Sequence, residues 1–415
     1  MPLLEFYYKE NGRQYNCAVD TEKGIPDPDV RSCLRNVAKQ LESDNRHNMP
    51  ARLIYIAHGW QFYIPLVLPG EDWQLEMKDA ILNQQYGGRT VVCLIRWQKA
   101  ARFWFWTKNA GRSLKRSVQV QKPKLTLLSK FFLCCAPSNF INYLNAALNA
   151  WPTGRVVGYA HKRIVQLALN QDLKSYCIGF SLGGHLCGFF GKMVQTGDFA
   201  GKKDKLYKII ALDPAGPIFD QPEQSPSVRL HKDDAEIVEV FHTGAKVFGF
   251  KNSIGDRDFY INGGGYQPWC YQWSGWKRLV WDLMEAAVVD VLGPEVKPIT
   301  IAVREFIGML YGMSCSHTFA YKFMIHLERM KTDQSHKGCS AHWKCGANDG
   351  HLLLKIPKEN PKKLEKHCKM LAPKDQPDLG SLGLRSTGSA LQMPGVYWVN
   401  VNDESKTCSV DASGD

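Results

Sequence analysis

Between Asp79 and Asp172 the sequence has no aspartate or glutamate, while lysine and arginine occur there 14 times. The formal net charge of the whole chain is +12, so the remainder carries a small acidic excess. A stretch of one sign over residues 80–171 suits an anionic lipid surface or an acidic polysaccharide; a solvated surface loop is the alternative. No recognised DNA- or RNA-binding signature accompanies the charge, so no nucleic-acid partner is expected. No apolar run approaches the ~20 residues of a bilayer-spanning helix. Asn-x-Ser/Thr sequons and internal repeats are absent as well. The 13 cysteines form no CxxC pair. That speaks against a zinc framework and favours an oxidising compartment. An odd number leaves at least one thiol unpaired, and Cys177 and Cys187, in apolar contexts, read as free thiols. The stretch Met1 to Glu10 lacks the basic and apolar regions of a secretory leader. Set beside the cysteine content, this predicts a secreted protein whose written start is truncated or misassigned.

What is present is a globular composition, 44% hydrophobic with 12 tryptophans. Short β-rich apolar runs occur at Leu53–Ala57, Val91–Ile95, Tyr176–Ile178, Ile209–Leu212 and Ile237–Phe241. Helix-length stretches separate them, including one through Ile164–Leu169 and one after Ser181. The rhythm predicts an α/β fold with a mostly parallel central sheet flanked by helices. Residues 103–142 break it, with aromatic clusters around a Lys/Arg/Gln run. They read as a basic insertion, either a loop or sequence retained from an intron. The Lys- and Pro-rich stretch Lys355–Lys374 reads as surface loop.

Gly179-Phe180-Ser181-Leu182-Gly183 follows one apolar run and precedes a small-residue segment, the strand–turn–helix setting of a nucleophile elbow. Such a turn strains the nucleophile's backbone, so Gly179 and Gly183 must be nearly side-chain-free. A serine needs a base and an acid that orients the base. Asp213, at the end of the Ile209–Leu212 run, is the candidate acid; a plain turn before Pro214 is the other reading. For the base, His231, His242, His317 and His326 lie downstream. His317 is favoured by its place between the long loop and a helix-like run, with His242 the runner-up. The oxyanion hole requires two backbone N–H groups, assigned to Leu182 and to Trp60 after His58-Gly59.

Several blocks, in order, resemble the pancreatic lipase family. They are Ala57-His58-Gly59-Trp60, Gly179–Gly188, Leu212–Pro217, Phe241-His242-Thr243, Asp258–Gly264 and Cys315-Ser316-His317. The resemblance runs over about residues 50–330 and weakly onward to about 400. It implies an α/β-hydrolase fold, a Ser181–Asp213–His317 triad and extracellular hydrolysis of triglycerides, phospholipids or galactolipids. It also implies a Cys270–Cys315 disulfide and, next to it, Cys339–Cys345. One catalytic domain over 1–400 is expected, with a lid over 271–314 and a tail over 401–415. Gly293-Pro294 would hinge two amphipathic lid helices that cover the site in water and meet lipid at a membrane or droplet surface.

Departures from the family pattern carry their own expectations. Too little chain follows the catalytic part for a C-terminal β-sandwich, so no colipase-type partner is expected. The family's structural calcium lies near Arg-Leu-Asp-x-x-Asp; here His231 and Lys232 interrupt Arg229–Asp234, and calcium prefers hard oxygen ligands. No cofactor is expected to be required. Arg96 stands where the family has an acid. The long lid points to triacylglycerol, while the single-domain build and the short His242–Asp258 stretch point to a phospholipase A1. A silent lipid-binding relative is the third reading, opposed by the presence of all three triad candidates.

Overall fold

The computed structural model describes residues 1–10, 12–23, 27–42, 51–60, 72–84, 89–101, 137–168, 172–196, 204–221, 224–271, 314–329, 343–346, 350–355, 361–371 and 394–401. The chain divides into two compact units, Met1–Val240 with Ile254–Asp256, and Phe241–Ser253 with Arg257–Asp415.

The first unit is built on β1 (Leu3–Glu10), β2 (Arg13–Asp20), β3 (Arg52–Ala57), β4 (Thr90–Arg96), β5 (Lys174–Phe180), β6 (Leu206–Leu212) and the part of β7 (Ala235–His242) up to Val240. Their order across the sheet is β7-β6-β5-β3-β4-β1-β2. β4, β3, β5 and β6 run parallel, and β1 lies antiparallel to β4 and β2. Every residue of β3 is buried, as expected for a strand covered on both faces. All five apolar runs are strands. The N-terminal hairpin was not foreseen: Leu4 and Phe6 point into the core while Glu5 and Tyr7 point out, a two-residue period easily lost among charged neighbours.

Helices α1 (Pro28–Leu41), α2 (Trp73–Leu82), α3 (Gln98–Ala101), α4 (Pro137–Ala168) and α5 (Leu182–Val194) cover this sheet. Asp27 caps α1, accepting from the N–H groups of Asp29 and Val30, with Pro28 in the first turn. Arg96 ties three elements together. Its guanidinium donates to Glu5 on β1, to Asp72 before α2 and to Gln74 in α2. That accounts for the basic residue at this strand end. Of the basic insertion, residues 137–142 open α4; 102–136 lie outside the described residues.

In the second unit the order is β10-β9-β11-β8, with β8 at Arg257–Ile261, β9 at Trp343–Cys345, β10 at Cys368–Met370 and β11 at Gly395–Val399. β8 and β11 are parallel; β9 is antiparallel to β11 and β10. Tyr260, Trp343, Leu353, Leu364, Val396 and Trp398 make its core. Residues 314–329 form helix α6. The 355–374 stretch corrects its reading as loop, because it holds a short helix (Pro361–Glu365) and β10. The predicted lid, apart from its edges, and the tail beyond Val401 lie outside the described residues. No helix among the described residues is long and apolar enough to cross a membrane.

The disulfides settle part of the cysteine reading. Cys270–Cys315 is bonded as the resemblance implied, and Cys17–Cys33 joins β2 to α1. Cys345 pairs with Cys368 rather than Cys339, because β9 and β10 are neighbours and these two residues face each other in register. Cys177 and Cys187 are bonded to each other instead of free. An elbow folds β5 back against α5, which brings residues ten apart side by side. Among the described cysteines Cys93 is the free thiol, and burial pushes it well above its ordinary range. Four disulfides among the described residues fit an oxidising compartment.

Candidate active site

In the first unit, the carboxyl ends of four parallel strands converge on Ser181. The chain visits β4 on one side of β3 and then crosses through α4 to β5 on the other, a topological switch where open α/β sheets place their ligands. Ser181 sits between β5 and α5 with φ 57° and ψ −121°, a backbone that side chains rarely adopt. Its N–H is held by the Leu212 carbonyl at 3.0 Å, and its own carbonyl takes the Gly184 N–H at 3.0 Å. Gly179 and Gly183 are a pair here. A Cβ at Gly179 would strike the Gly183 carbonyl, and one at Gly183 would strike the carbonyls of Ala57 and His58.

The end of β3 lies against the serine. A Cβ at Gly59 would stand 2.6 Å from Ser181 Cβ and 3.2 Å from Oγ, so Gly59 lies this close to the nucleophile only because it has no side chain. Leu182 opens α5, where the first N–H groups have no carbonyl partner within the helix. The two N–H donors named for the oxyanion hole therefore belong to segments that flank Ser181. Trp60 packs edge-on against Tyr143 of α4 at 5.5 Å, and the Tyr143 hydroxyl donates to the Pro217 carbonyl at 2.8 Å.

Asp213 follows β6 as Ser181 follows β5. Phe180 and Leu212 are register partners, so the two residues leave neighbouring strands side by side. Asp213 is fully buried at φ 44°. The turn after it is anchored by His185 in the first turn of α5, one helical turn beyond the nucleophile. His185 Nε2–H donates to the Ala215 carbonyl at 2.8 Å, and Nδ1 accepts the Leu230 N–H at 3.1 Å. Its ring stacks on Phe219 at 3.8 Å. Burial lowers its pKa to about 3, so it stays a neutral spacer. The sequence reading missed this residue; a histidine four places after the nucleophile on a helix was the available signal.

In the second unit His317 is half-buried near the start of α6, its ring 5.6 Å from that of Phe248. The residues before it are clamped. Cys315 is disulfide-bonded to Cys270, and Ser316 Oγ accepts the Gln267 N–H at 3.0 Å. Gln267 in turn donates to the carbonyls of Thr243 and Ile261. The runner-up, His242, is fully buried and stacked on Tyr260. Its Nδ1 meets the Phe250 carbonyl and its Nε2 the Asp258 carboxylate, both at 2.9 Å. With both ring nitrogens engaged, it is poorly placed to take a proton from a serine.

At the place of the family's calcium, Lys192 of α5 directs its ammonium at both oxygens of Asp234, at 2.5 and 2.6 Å, and at the Arg229 carbonyl at 2.9 Å. His231 Nδ1 accepts the Asp233 N–H at 3.4 Å. Among the described residues no group of three or more His, Cys, Asp or Glu could hold a metal ion.

Comparison with known proteins converges on the same stretch. Residues 141–283 match the family model described as Lipase. The chain is 40% identical over 131 residues to lipase member H-A of Xenopus laevis, covering 31% of this chain and 25% of that protein. It is 39% identical over 137 residues to phospholipase A1 of Vespula squamosa, covering 33% and 44%. With hepatic triacylglycerol lipase of Rattus norvegicus it shares 43% identity over 104 residues, covering 24% and 19%. The matches thus span less than half the length of each of these relatives. A solved α/β hydrolase, MGS-M1 from a Medee basin deep-sea metagenome library, aligns at 17% identity and a TM-score of 0.21, over 58% of this chain and 66% of that one. The fold assignment rests on the strand order above rather than on that alignment. Through residues 141–283 the chain is similar to the lipases and the phospholipase A1 named above.

Proposed function

We propose that the chain is a serine carboxylic-ester hydrolase acting on lipid esters. The observation that carries this is Ser181, held at a backbone angle that disfavours any side chain, with Gly59 packed directly against it. In this reading His317 takes the Ser181 proton as Oγ bonds to the ester carbonyl carbon. Asp213 orients and stabilises the resulting imidazolium. The N–H groups of Trp60 and Leu182 receive the charge on the carbonyl oxygen. Collapse breaks the ester C–O bond, and His317 returns the proton to the leaving alcohol. Water then enters by the same base and hydrolyses the acyl-enzyme. Triacylglycerol is the first substrate class. Phospholipase A1 activity is the second reading, favoured by the compact span between His242 and Asp258. That span is tied down by the Phe250 carbonyl on His242 and by the Tyr260 hydroxyl on the Lys251 carbonyl.

The reading includes secretion and action at a lipid surface, with the basic 80–171 stretch facing anionic lipid or polysaccharide. It includes no structural calcium: an ammonium already lies against Asp234 and the Arg229 carbonyl, and two added positive charges there would be repelled. Hydrolysis of matched triacylglycerol and phosphatidylcholine emulsions, with and without Ser181→Ala, tests the proposal. Loss of at least 1,000-fold in turnover on whichever lipid is cleaved is expected, on the order of a deleted nucleophile. An alanine variant as active as the parent would refute it.

A further inference from the structure

We propose that His58 is a positioning residue that aims the Trp60 N–H at the oxyanion. The inference rests on the hydrolase reading above and adds a residue to it. His58 Nδ1 lies 2.7 Å from the carbonyl oxygen of Gly59, the next residue. Its Nε2 lies 3.3 Å from the backbone N–H of Trp97, at the end of β4. A backbone N–H can only donate, so Nε2 is the bare nitrogen and the proton sits on Nδ1. Nδ1–H therefore donates to the Gly59 carbonyl. The residue is held at two more points, the ring and the backbone. It stacks on the Trp97 indole at 5.4 Å and 22° between planes, and Trp97 Nε1–H donates to the His58 carbonyl at 2.8 Å. His58 is 3% exposed and Trp97 fully buried, so water does not compete for these bonds.

The Gly59–Trp60 peptide is trans, since the described residues include no cis bond. A trans peptide is planar, with its C=O and N–H pointing oppositely. Fixing the Gly59 oxygen on His58 therefore fixes the direction of the Trp60 N–H. A pin is needed because contact with Ser181 demands glycine at 59, and glycine is the residue whose flanking peptides reorient most easily. The histidine removes the freedom that the glycine introduces. An oxyanion donor is effective only when it is aimed before charge develops.

Three variants test this, His58→Leu, His58→Asn and His58→Gln. The asparagine amide nitrogen can reach the place of Nδ1, whereas the glutamine amide reaches that of Nε2. The measurements are the rate of Ser181 phosphonylation by a fluorophosphonate, whose P–O oxygen occupies the hole, and kcat and KM on a soluble short ester. His58→Leu should slow phosphonylation and kcat by about 100-fold, the scale of one lost donor, with KM little changed. Asparagine should recover at least tenfold of that and glutamine should not. A general packing defect would treat the two amides alike. Should the leucine variant not fold, the amide comparison decides alone. Equal rates in asparagine and glutamine variants, or a leucine variant as fast as the parent, would overturn the role of His58. A parent chain that the reagent does not label at all would instead overturn the hydrolase reading beneath it.

Discussion

At residue 59 a single methyl group separates the needs of the fold from those of the chemistry. Gly59→Ala puts a Cβ 2.6 Å from Ser181 Cβ, closer than real atoms come. The strand end must retreat, which costs about 1–3 kcal/mol in overpacking. It also moves the peptide that carries the proposed Trp60 donor, so turnover should fall about 100-fold while urea denaturation shows a folded protein. A variant with parental turnover would break the link between glycine and site. The turn at Ser181, with Gly179 and Gly183, was legible because a strained elbow requires particular residue types at particular spacings. His58, His185 and Lys192 were not. Each acts on a backbone carbonyl or a carboxylate brought near only by the fold, and no local pattern announces such a partner. His58 was even quoted in a motif, yet its role depends on Trp97, 39 residues away.

Whole strands were legible where they are buried on both faces and continuously apolar, and illegible where one face is wet or a disulfide supplies the stability. β10 is three residues long, among lysines, and stays paired with β9 through Cys345–Cys368. Helix α5 carries two attachments of this hidden kind. The first, Cys177–Cys187, joins it to β5 across the elbow. Closing a loop of ten residues contributes about 2–3 kcal/mol in the chain-entropy model. Replacing both cysteines by alanine should lower urea stability by that amount yet leave Ser181 labelled, because the Leu212 carbonyl and the glycine contacts still form the turn. Loss of labelling with the fold intact would mean that the disulfide itself shapes the elbow. The second is Lys192. Lys192→Met leaves Asp234 nearly buried without its cation, a change that costs about 3–5 kcal/mol for a buried pair and somewhat less at this partly open edge. Calcium should raise the thermal midpoint of the variant, if of either protein, while EDTA and calcium both leave the parent unmoved. A calcium-dependent midpoint in the parent would return the ion to the family's site.

On the scale of the whole molecule, acid sensitivity gathers effects scattered over the first unit. Its parallel strands were legible in the sequence because α/β units alternate visibly; the second unit was hard to read because its strands are short and paired across long separations. Two buried histidines of the first unit, His161 and His185, are each lowered to about 3, chiefly by burial; Lys162 adds to the shift at His161, while the Ala215 bond opposes it at His185. A histidine near 6.5 when unfolded takes up a proton that the folded form refuses. Stability from such a group is complete above about pH 6.5 and is lost as pH falls toward 3, at roughly 1.4 kcal/mol per pH unit each. Asp234 works in the opposite direction. Burial raises it to about 6 against the attraction of Lys192. Its contribution is present at low pH and lost as pH rises through 6, so on acidification it offsets about one histidine. The net expectation is a loss of about 3 kcal/mol between pH 6.5 and 4.5, read from urea midpoints in steps of half a pH unit. His161→Gln should flatten the slope and Asp234→Asn should steepen it, whatever either does to stability at pH 7. Stability that held constant or rose over this interval, or variants that left the slope alone, would show that these three buried groups do not control it.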